Sequence, residues 1–277
     1  MKRLQKVFDV HVHLSEHKDD ALLRYARMNR LAYTLDELLN LMRENNVERG
    51  LLLSPPLEGR DYVPNDEIVR LCEKSGKTLS PVVTVEPTPK EVNAAVQLAK
   101  DRRKEVRAFK IRLGYVKAGA ESQVFDNVYK VAESERLPVL FHTGDTAFSN
   151  GDLARSHPLT LDGLANRRKD LTIVLCHFGN PWFDDVAELI YKHPNVYTDT
   201  SGLITAEGSY TVKYADWLAR KISEAIYYAG SADKILFGTD YPVTKHPDAI
   251  QLIRKLDISE ADKEKIFWWN AERLFGP

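Results

Sequence analysis

The segment KILFGTDYP, Lys234 to Pro242, is an apolar run that ends on an acid inside a Gly/Thr/Pro turn. Residues 235–238 predict a buried strand, and Asp240 follows its carboxyl end. Three earlier strand-like segments also end on metal-ligand residue types: DVHVH at 9–13, FHTG at 141–144 and CHFG at 176–179. If these strand ends converge in space, the chain is built around one metal site.

The chain alternates short β-branched runs with helical patterns in consecutive β-then-α units. The predicted strands are 7–14, 50–53, 81–85, 106–113, 138–142, 171–177, 196–201 and 235–238. Continuous apolar strands covered by amphipathic helices indicate a parallel sheet. Strands in this number predict a closed (β/α)8 TIM barrel of the α/β class, and we expect it to form one domain over residues 1–277. The alternative, a doubly wound open sheet, usually carries a glycine-rich fingerprint after its first strand, where this chain has His11-Val12-His13-Leu14.

The predicted connections differ in length at the two ends of the strands. Helix-to-strand connections are short, as at 137–138, 169–170 and 233–234, whereas strand-to-helix connections are long, as at 15–33, 145–158 and 202–211. Barrel enzymes build their sites from the strand-to-helix loops. The candidate ligands all lie at that end of their strands, so the pattern predicts an active site there.

Composition excludes several classes of protein. A net charge of −1 provides no basic field for nucleic acid. Two cysteines, Cys72 and Cys176, are too few for a disulfide framework and fit a reducing compartment. No signal-type apolar region or membrane-length apolar run is evident. We therefore expect a cytoplasmic protein without a nucleic-acid or membrane partner. A homo-oligomer stays open, because the aromatic residues 267–269 suit either a dimer surface or a core.

The histidines and Asp240 form a ligand set typical of a divalent metal. Alternate residues of a strand share a face, so His11 and His13 point the same way. With His142 and Asp240 they would suit Zn, Mn, Fe or Ni, and His177 ends a further strand. Each residue alone is more often structural, but the joint pattern indicates a catalytic site with an open metal position. Such a metal lowers the pKa of water and polarises a substrate oxygen.

Two cations share one face of the fourth predicted strand. Three interpretations of Lys110 compete: a carboxylated lysine that bridges two metals, a cation that holds substrate, or an ion pair with Asp9 or Asp199. Arg112 either holds a substrate carboxylate through a bidentate fork or forms a salt bridge at the rim.

The order of these motifs resembles the amidohydrolase superfamily. The motifs are HVH, a fourth-strand lysine, LFHTG, CHFG, YTDTSG, FGTDYP and the closing WNAERLF of residues 269–275. The resemblance is strongest to the amidohydrolase 2 branch, which includes aminocarboxymuconate-semialdehyde decarboxylase, aromatic-acid decarboxylases and dicarboxylate lactonases. It covers nearly the whole chain and is specific for the superfamily but not for a substrate. It implies a distorted (β/α)8 barrel with a mononuclear or binuclear metal centre.

The resemblance also implies roles for single residues. His11, His13, His142 and Asp240 match the family's metal ligands, and Asp240 doubles as general base. His177 matches the sixth-strand histidine, which contacts the reacting oxygen in mononuclear members and binds the second metal in binuclear ones. We expect one ion, most simply zinc; a second ion would recruit Lys110 and His177.

These expectations favour a metal-dependent hydrolase of an ester, lactone or amide in a small carboxylated substrate bound by Arg112 and Lys110. One alternative is a metal-dependent decarboxylase of an unsaturated or aromatic acid, which would release carbon dioxide without taking up solvent oxygen. A TatD-like or PHP-like metal phosphoesterase also begins with HxH. A barrel retained as a binding or scaffold protein would hold no metal.

Overall fold

The computed structural model describes residues 5–58, 62–205 and 212–276, and these contain eight parallel strands in sequential order. The strands, in chain order, are β1 (Val7–His13), β2 (Val47–Leu53), β3 (Leu79–Thr84), β4 (Ala108–Ile111), β5 (Val139–Phe141), β6 (Ile173–Leu175), β7 (Val196–Asp199) and β8 (Ile235–Leu236). The predicted α/β (β/α)8 TIM barrel is confirmed.

Backbone hydrogen bonds close the barrel between its last and first strands. The amide of Val10 donates to the carbonyl of Phe237 at 3.0 Å, and the amide of His13 donates to the carbonyl of Tyr241 at 2.8 Å. In the opposite direction, the amide of Asp240 donates to the carbonyl of His11 at 2.8 Å. The segment that carries Asp240 is therefore tied directly to the strand that carries the two histidines.

Helices follow the strands and cover the outside of the barrel. They are α1 (Leu23–Met28), α2 (Leu35–Glu44), α3 (Asn65–Lys74), α4 (Pro89–Asp101), α5 (Asp126–Glu135), α6 (Leu153–Ser156), α7 (Asp162–Arg167), α8 (Phe183–Lys192), α9 (Val212–Ala229), α10 (His246–Arg254), α11 (Glu260–Glu264) and α12 (Asn270–Phe275). A π-helical turn, Lys265–Trp269, joins α11 to α12. No helix in the described segments is both long and apolar enough to span a membrane.

The sequence specifies where two of these helices begin. Thr34 accepts a hydrogen bond from the amide of Glu37 at 3.3 Å and so caps α2. Thr88 accepts from the amide of Glu91 at 3.2 Å, and Pro89 occupies the first turn of α4. Each threonine satisfies an amide that lacks a partner within its helix.

The barrel interior is apolar at its lower end, where the strands begin. Phe8, Val10, Leu51, Val82 and Leu140 are among its fully buried residues. Helix α12 and the preceding turn close this end, because Trp268 and Phe275 pack on Phe8 with ring centroids 6.0 and 6.2 Å apart. The carboxyl ends of the strands, by contrast, carry the polar residues.

A β-bulge in β1 reverses which residues face inward. Three steps along β1, from Asp9 to Val12, match two steps along β2. Phe8 and Val10 belong to the interior cluster, whereas Val12 packs in the layer between strands and helices. Because the bulge shifts the alternation by one residue, His11 and His13 line the cavity inside the barrel.

Several strands end earlier than the sequence patterns predict. The sixth strand stops at Leu175, and Cys176–Gly179 form a tight turn in which His177 and Phe178 have left-handed φ angles of 62° and 49°. The following helix begins at Phe183. A strand cannot continue once the chain turns over the top of the barrel, so the functional residues lie in the turns themselves.

Two adjacent tryptophans provide a matched test of the lower closure. Trp268 is 9% exposed and packs on Phe8, whereas Trp269 is 57% exposed. Trp268→Ala should lower the free energy of unfolding by about 3–5 kcal/mol through lost burial and a residual cavity. Trp269→Ala should change it by about 0.5 kcal/mol or less. Urea titrations of both variants measure the two values, and the reverse order would contradict this packing.

Candidate active site

Three ligand-type side chains converge at the upper end of the barrel. The Nε2 atoms of His11 and His13 lie 3.3 and 3.1 Å from Oδ1 of Asp240. One donor atom of each residue lies within 4.8 Å of the others. The carboxyl ends of β1 and β8 thus build one cluster, as the sequence predicts.

Hydrogen bonds at the far side of each ring orient the two histidines. The Nδ1 atom of His13 lies 3.0 Å from the carbonyl oxygen of Leu53, which can only accept, so Nδ1 carries the proton. The Nδ1 atom of His11 lies 3.1 Å from Oδ2 of Asp199. Both contacts leave the Nε2 lone pair directed at Asp240, the arrangement that outer-shell partners impose on metal-binding histidines.

The donor set fits a divalent cation. Burial and nearby Lys110 lower the pKa of His11, so its ring is neutral. Two imidazole lone pairs and a carboxylate oxygen then face one another, an arrangement that repels unless a cation lies between them. Ligands at about 2 Å from a tetrahedral ion are roughly 3.3 Å apart, close to the spacings from Asp240. The residues present therefore suit the metal that the sequence predicts.

His142 and His177 extend this cluster into a file of imidazoles. Ring centroids are 5.2 Å apart for His13 and His11, and 4.9 Å for both His11–His177 and His177–His142. His142 contacts Nε2 of His177 through Nδ1 at 3.1 Å and the carbonyl of Asp145 through Nε2 at 2.9 Å. His142 thus lies beside His177 rather than against Asp240, and its role as a metal ligand stays a prediction.

Asp199 and Ser201 link the two halves of the file. The Ser201 hydroxyl lies 3.0 Å from Nδ1 of His11, 2.9 Å from Nδ1 of His177 and within hydrogen-bond distance of Asp199. The carboxylate of Asp199 also accepts from the amide of His177 at 2.9 Å. The sequence analysis names Asp199 as a candidate partner of Lys110 and does not single out Ser201, although both lie in the YTDTSG motif.

Burial and charge set the protonation states. Burial opposes ionisation of Asp240, but His11, His13 and His177 hold its pKa well below the usual range. The pKa of Asp199 is likewise held far below its usual range, because His11 and His177 outweigh the effect of burial. Burial lowers the pKa of His177 to about 4 and that of His142 well below its ordinary value. Asp240 and Asp199 are thus ionised, whereas burial opposes a charge on His177 and His142.

Lys110 lies inside the barrel below the histidines. It is buried, and its ammonium donates to Sγ of Cys176 at 2.8 Å. In the described part of the chain neither Asp9 nor Asp199 forms an ion pair with it. No contact among these residues therefore supports the ion-pair interpretation of Lys110, whereas the substrate-binding and metal-bridging interpretations stay predictions. Its charge also disfavours a cation at the neighbouring His11, Cys176 and Asp199 group.

Arg112 forms a wall of the cavity above the cluster. This cavity, of about 230 Å³, is lined by both cations and by the four histidines and Asp240. The Arg112 guanidinium stacks on Tyr62 and Tyr115, 4.4 and 4.9 Å from their ring centroids. Its Nη1 atom is buried without a hydrogen-bond partner. No rim salt bridge of Arg112 occurs in the described residues, so its fork remains available to a ligand.

Further residues line the cavity that sequence reasoning did not single out. Asp145 follows the FHTG motif directly, and burial raises the pKa of its carboxyl. Tyr115 lies against His142, and burial raises its pKa to about 12. The position of Asp145 after a strand end was a usable signal, whereas nothing in the sequence marks Tyr115.

Backbone conformation singles out the same region. Asp240 has a left-handed φ of 60°, as do His177 and Phe178 at 62° and 49°. Such angles are uncommon for residues other than glycine and cluster at functional sites. Gly202 also has a positive φ, 68°, and a Cβ there would lie 2.9 Å from Oδ2 of Asp240 and 3.1 Å from Nδ1 of His177.

Comparison with known proteins defines the class. The sequence profile of the amidohydrolase family matches residues 8–276, so the chain belongs to this family, and the predicted membership of the amidohydrolase 2 branch is confirmed. The protein is thus an enzyme of a family whose members include decarboxylases and hydrolases.

One curated relative is the gamma-resorcylate decarboxylase of Polaromonas sp. strain JS666, which is 31% identical over 128 residues. This match spans 43% of the chain and 39% of the relative, so it covers less than half of either protein.

Solved structures share the fold over nearly the whole chain. An uncharacterised TIM-barrel protein of Bordetella bronchiseptica has a TM-score of 0.77 at 21% identity and covers 97% of this chain and 98% of its own. A probable 2-pyrone-4,6-dicarboxylic acid hydrolase of Acinetobacter baumannii has a TM-score of 0.71 at 17% identity, with coverages of 98% and 100%. A dihydroxybenzoic acid decarboxylase of Polaromonas sp. JS666, which holds manganese and 2-nitroresorcinol, has a TM-score of 0.68 at 16% identity, with coverages of 98% and 97%.

Gly202 offers a test of the cluster geometry. Gly202→Ala should strain the backbone and also displace Asp240 and His177, so zinc affinity should fall about 10–100-fold. Gly230→Ala is a matched control, because Gly230 has a similar φ of 74° but no atom lies within 4 Å of the position that an added methyl group would take. Both variants should lose about 1–2 kcal/mol of unfolding free energy from strain. Equal zinc affinities in calorimetric titrations would contradict the assigned contacts.

Proposed function

We propose that this protein is a metal-dependent hydrolase that cleaves an ester, lactone or amide bond of a small carboxylated substrate. The observation that carries the proposal is the convergence of His11, His13 and Asp240 in a cavity whose wall holds two buried cations, Lys110 and Arg112. The lone-pair donors of the cavity call for a metal, and the two cations beside them call for an anionic ligand.

The metal would be held by His11, His13 and Asp240, with His142 as a fourth ligand once its ring turns away from Asp145. Zinc suits three histidines and one carboxylate, and manganese is the ion held by the related decarboxylase. When bound, the ion would supply a lowered water pKa and polarise a substrate carbonyl. A single ion is favoured because Lys110 contacts Cys176 rather than the cluster.

The protein side chains divide the remaining work. Asp240 is ionised and contacts both first-strand histidines, so its carboxylate is the base that accepts the proton from the attacking water. His177, held by Ser201 and by the hydrogen bond that its backbone amide donates to Asp199, hydrogen-bonds the reacting oxygen. These groups are positioned before substrate arrives, which reduces the reorganisation needed during the reaction.

The two cations select the substrate. Arg112 is fixed between two tyrosine rings and has an unpaired Nη1, so it can form a bidentate pair with a carboxylate. Lys110, deeper in the barrel, places a second positive charge near the histidines. A carboxylate on the wall would orient the scissile carbonyl toward Asp240. The aromatic rings beside Arg112 favour a flat, conjugated acid.

Decarboxylation is the second candidate, and one observation favours it. The relative that matches at 31% identity is a gamma-resorcylate decarboxylase. The same cavity would hold an aromatic acid, with Asp240 placed to exchange a proton with the ring carbon. Hydrolysis stands first, because the lowered pKa of Asp240 keeps its carboxylate ionised, and an ionised carboxylate has no proton to give to a ring carbon.

One experiment separates these functions. The protein is purified without chelator, its metal content is measured, and it is offered 2-pyrone-4,6-dicarboxylate, 2,6-dihydroxybenzoate and a model phosphodiester in oxygen-labelled water. We expect about one zinc-like ion per chain and solvent oxygen in the product of a lactone. Release of carbon dioxide without label would establish the decarboxylase instead, and phosphate release would establish a phosphoesterase.

Substitutions at Asp240 and His13, with a control at Asp233, test the assignment of Asp240 as the base. Asp240→Asn should lower turnover by about 10²–10⁴-fold, because the base is lost, and His13→Ala should lower both metal content and turnover. Asp233→Asn is the matched control, since Asp233 precedes β8 at the opposite end and pairs with Lys265. Full turnover of Asp240→Asn, with an unchanged circular dichroism spectrum, would overturn the proposal.

Arg112 should act through binding rather than chemistry. Arg112→Lys keeps the charge but loses the planar fork, so KM for a carboxylated substrate should rise about 10-fold or more, as expected for loss of about 1.5–3 kcal/mol from a charged hydrogen bond. The methyl ester of the same substrate serves as control, and its kcat/KM should change little. An equal loss of kcat/KM for the acid and the ester would show that Arg112 does not bind the carboxylate.

A further inference from the structure

A second cavity lies at the opposite end of the barrel, where β2, β3 and β4 begin. Its volume is about 590 Å³, larger than the 230 Å³ of the cavity above the histidines. Four basic side chains line it, together with two acidic ones: Arg49, Lys77, Lys104, Arg107, Glu73 and Glu105. None of these residues belongs to the active site, so the cavity needs an explanation of its own.

The two acidic side chains of this lower cavity share one partner. Arg102 donates to Glu73 at 2.6 Å and to Glu105 at 3.3 Å, so one guanidinium serves both carboxylates. Arg49 is likewise occupied, because it forms an ion pair with Glu272 at 2.8 Å and stacks on Phe8. With Arg102 and Glu272 counted beside the lining residues, five basic side chains stand against three acidic ones, so a net positive charge remains.

Lys77, Lys104 and Arg107 are the cations of this cavity without a direct partner in the described part of the chain. Among the residues the structure describes, their side chains form neither an ion pair nor a hydrogen bond. The Nε atom of Arg107 is buried without a hydrogen-bond partner. Burial and the like charge of Arg49 lower the pKa of Arg107. Glu272 offsets this effect only in part, so the half-buried Arg107 guanidinium beside Arg49 would be stabilised by a further anion.

We propose that the lower cavity binds a phosphate group, either as free phosphate or as part of a small phosphorylated molecule. A phosphate dianion offers acceptors to the Arg107 fork and compensates the charges of Lys77 and Lys104. The cavity falls within the size range of about 300–1,000 Å³ for small-molecule sites. A small organic portion thus fits beside the phosphate.

This site is independent of the proposed hydrolase. The lower face of a (β/α)8 barrel does not normally carry catalytic residues, and the apolar interior around Phe8 and Leu51 separates the two cavities. A bound phosphate would bridge segments that precede β3 and β4, so it should stabilise the fold. The site therefore acts on stability and ligand binding rather than on the reaction.

Calorimetric titration tests the site on the full chain at constant ionic strength, with inorganic phosphate and glycerol phosphate as the probes and chloride as the reference. Phosphate or its ester should bind the wild-type chain and raise its Tm, and Arg107→Gln should weaken binding by at least about ten-fold, the loss of one charged hydrogen-bonding pair. Tighter binding of glycerol phosphate would identify a phosphorylated molecule, whereas equal binding would identify free phosphate.

Control variants separate this cavity from the active site. Lys90→Gln, at a lysine whose side chain is 90% exposed, should bind phosphate as the wild type does. Arg112→Gln removes the anion contact proposed for the upper cavity, so phosphate binding that persists in this variant belongs to the lower cavity. The double variant Lys77→Gln/Lys104→Gln, at two exposed positions, repeats the test without touching buried structure. Absence of binding to the wild type would overturn the proposal. So would phosphate binding by Arg107→Gln and by the double variant that is as tight as that of the wild type.

Discussion

The carboxylate of Asp9 holds together the seam on which the whole site depends. It is fully buried and accepts hydrogen bonds from the amides of His11 and Thr239 at 3.1 and 3.0 Å and from the Thr239 hydroxyl at 2.6 Å. His246 of α10 lies 3.3 Å away. One side chain thus joins the first strand to the turn after the last strand. A charge buried this deeply is tolerable only with such partners, so the seam has one favoured arrangement.

That seam decides what the cavity can do. The bulge beside Asp9 turns His11 and His13 inward, and the amide of Asp240 is bonded to the His11 carbonyl. Three donors are therefore brought together by the same contacts that close the barrel. The left-handed φ of Asp240 is held by this closure, and its strain is offset by the hydrogen bonds around it. Fold and candidate metal site are consequences of one set of interactions.

Charge is distributed differently at the two ends of the barrel. At the upper end, two buried carboxylates lie among histidines, and the buried Nη1 atom of Arg112 has no hydrogen-bond partner. At the lower end, Arg102 pairs with both nearby glutamates, and the buried Nε atom of Arg107 has no hydrogen-bond partner. At each end, the arginine that carries this nitrogen is one of the residues that line a cavity. The physical reason for inferring a bound anion is therefore the same for both cavities, although only the upper one also contains candidate metal ligands.

The sequence by itself determined the order of the eight strands and their helices, because apolar periodicity is a local pattern. The residues that follow each strand likewise indicated the family and placed the candidate site at the carboxyl ends of the strands. The sequence also predicted that His11, His13 and Asp240 belong together, since their strands are neighbours once a barrel closes. Only the tertiary structure decided the bulge, the pairing of His11 with Asp199 across 188 positions and the contact of His142 with His177. Register and ring orientation depend on partners far away in the chain, and no local pattern records them.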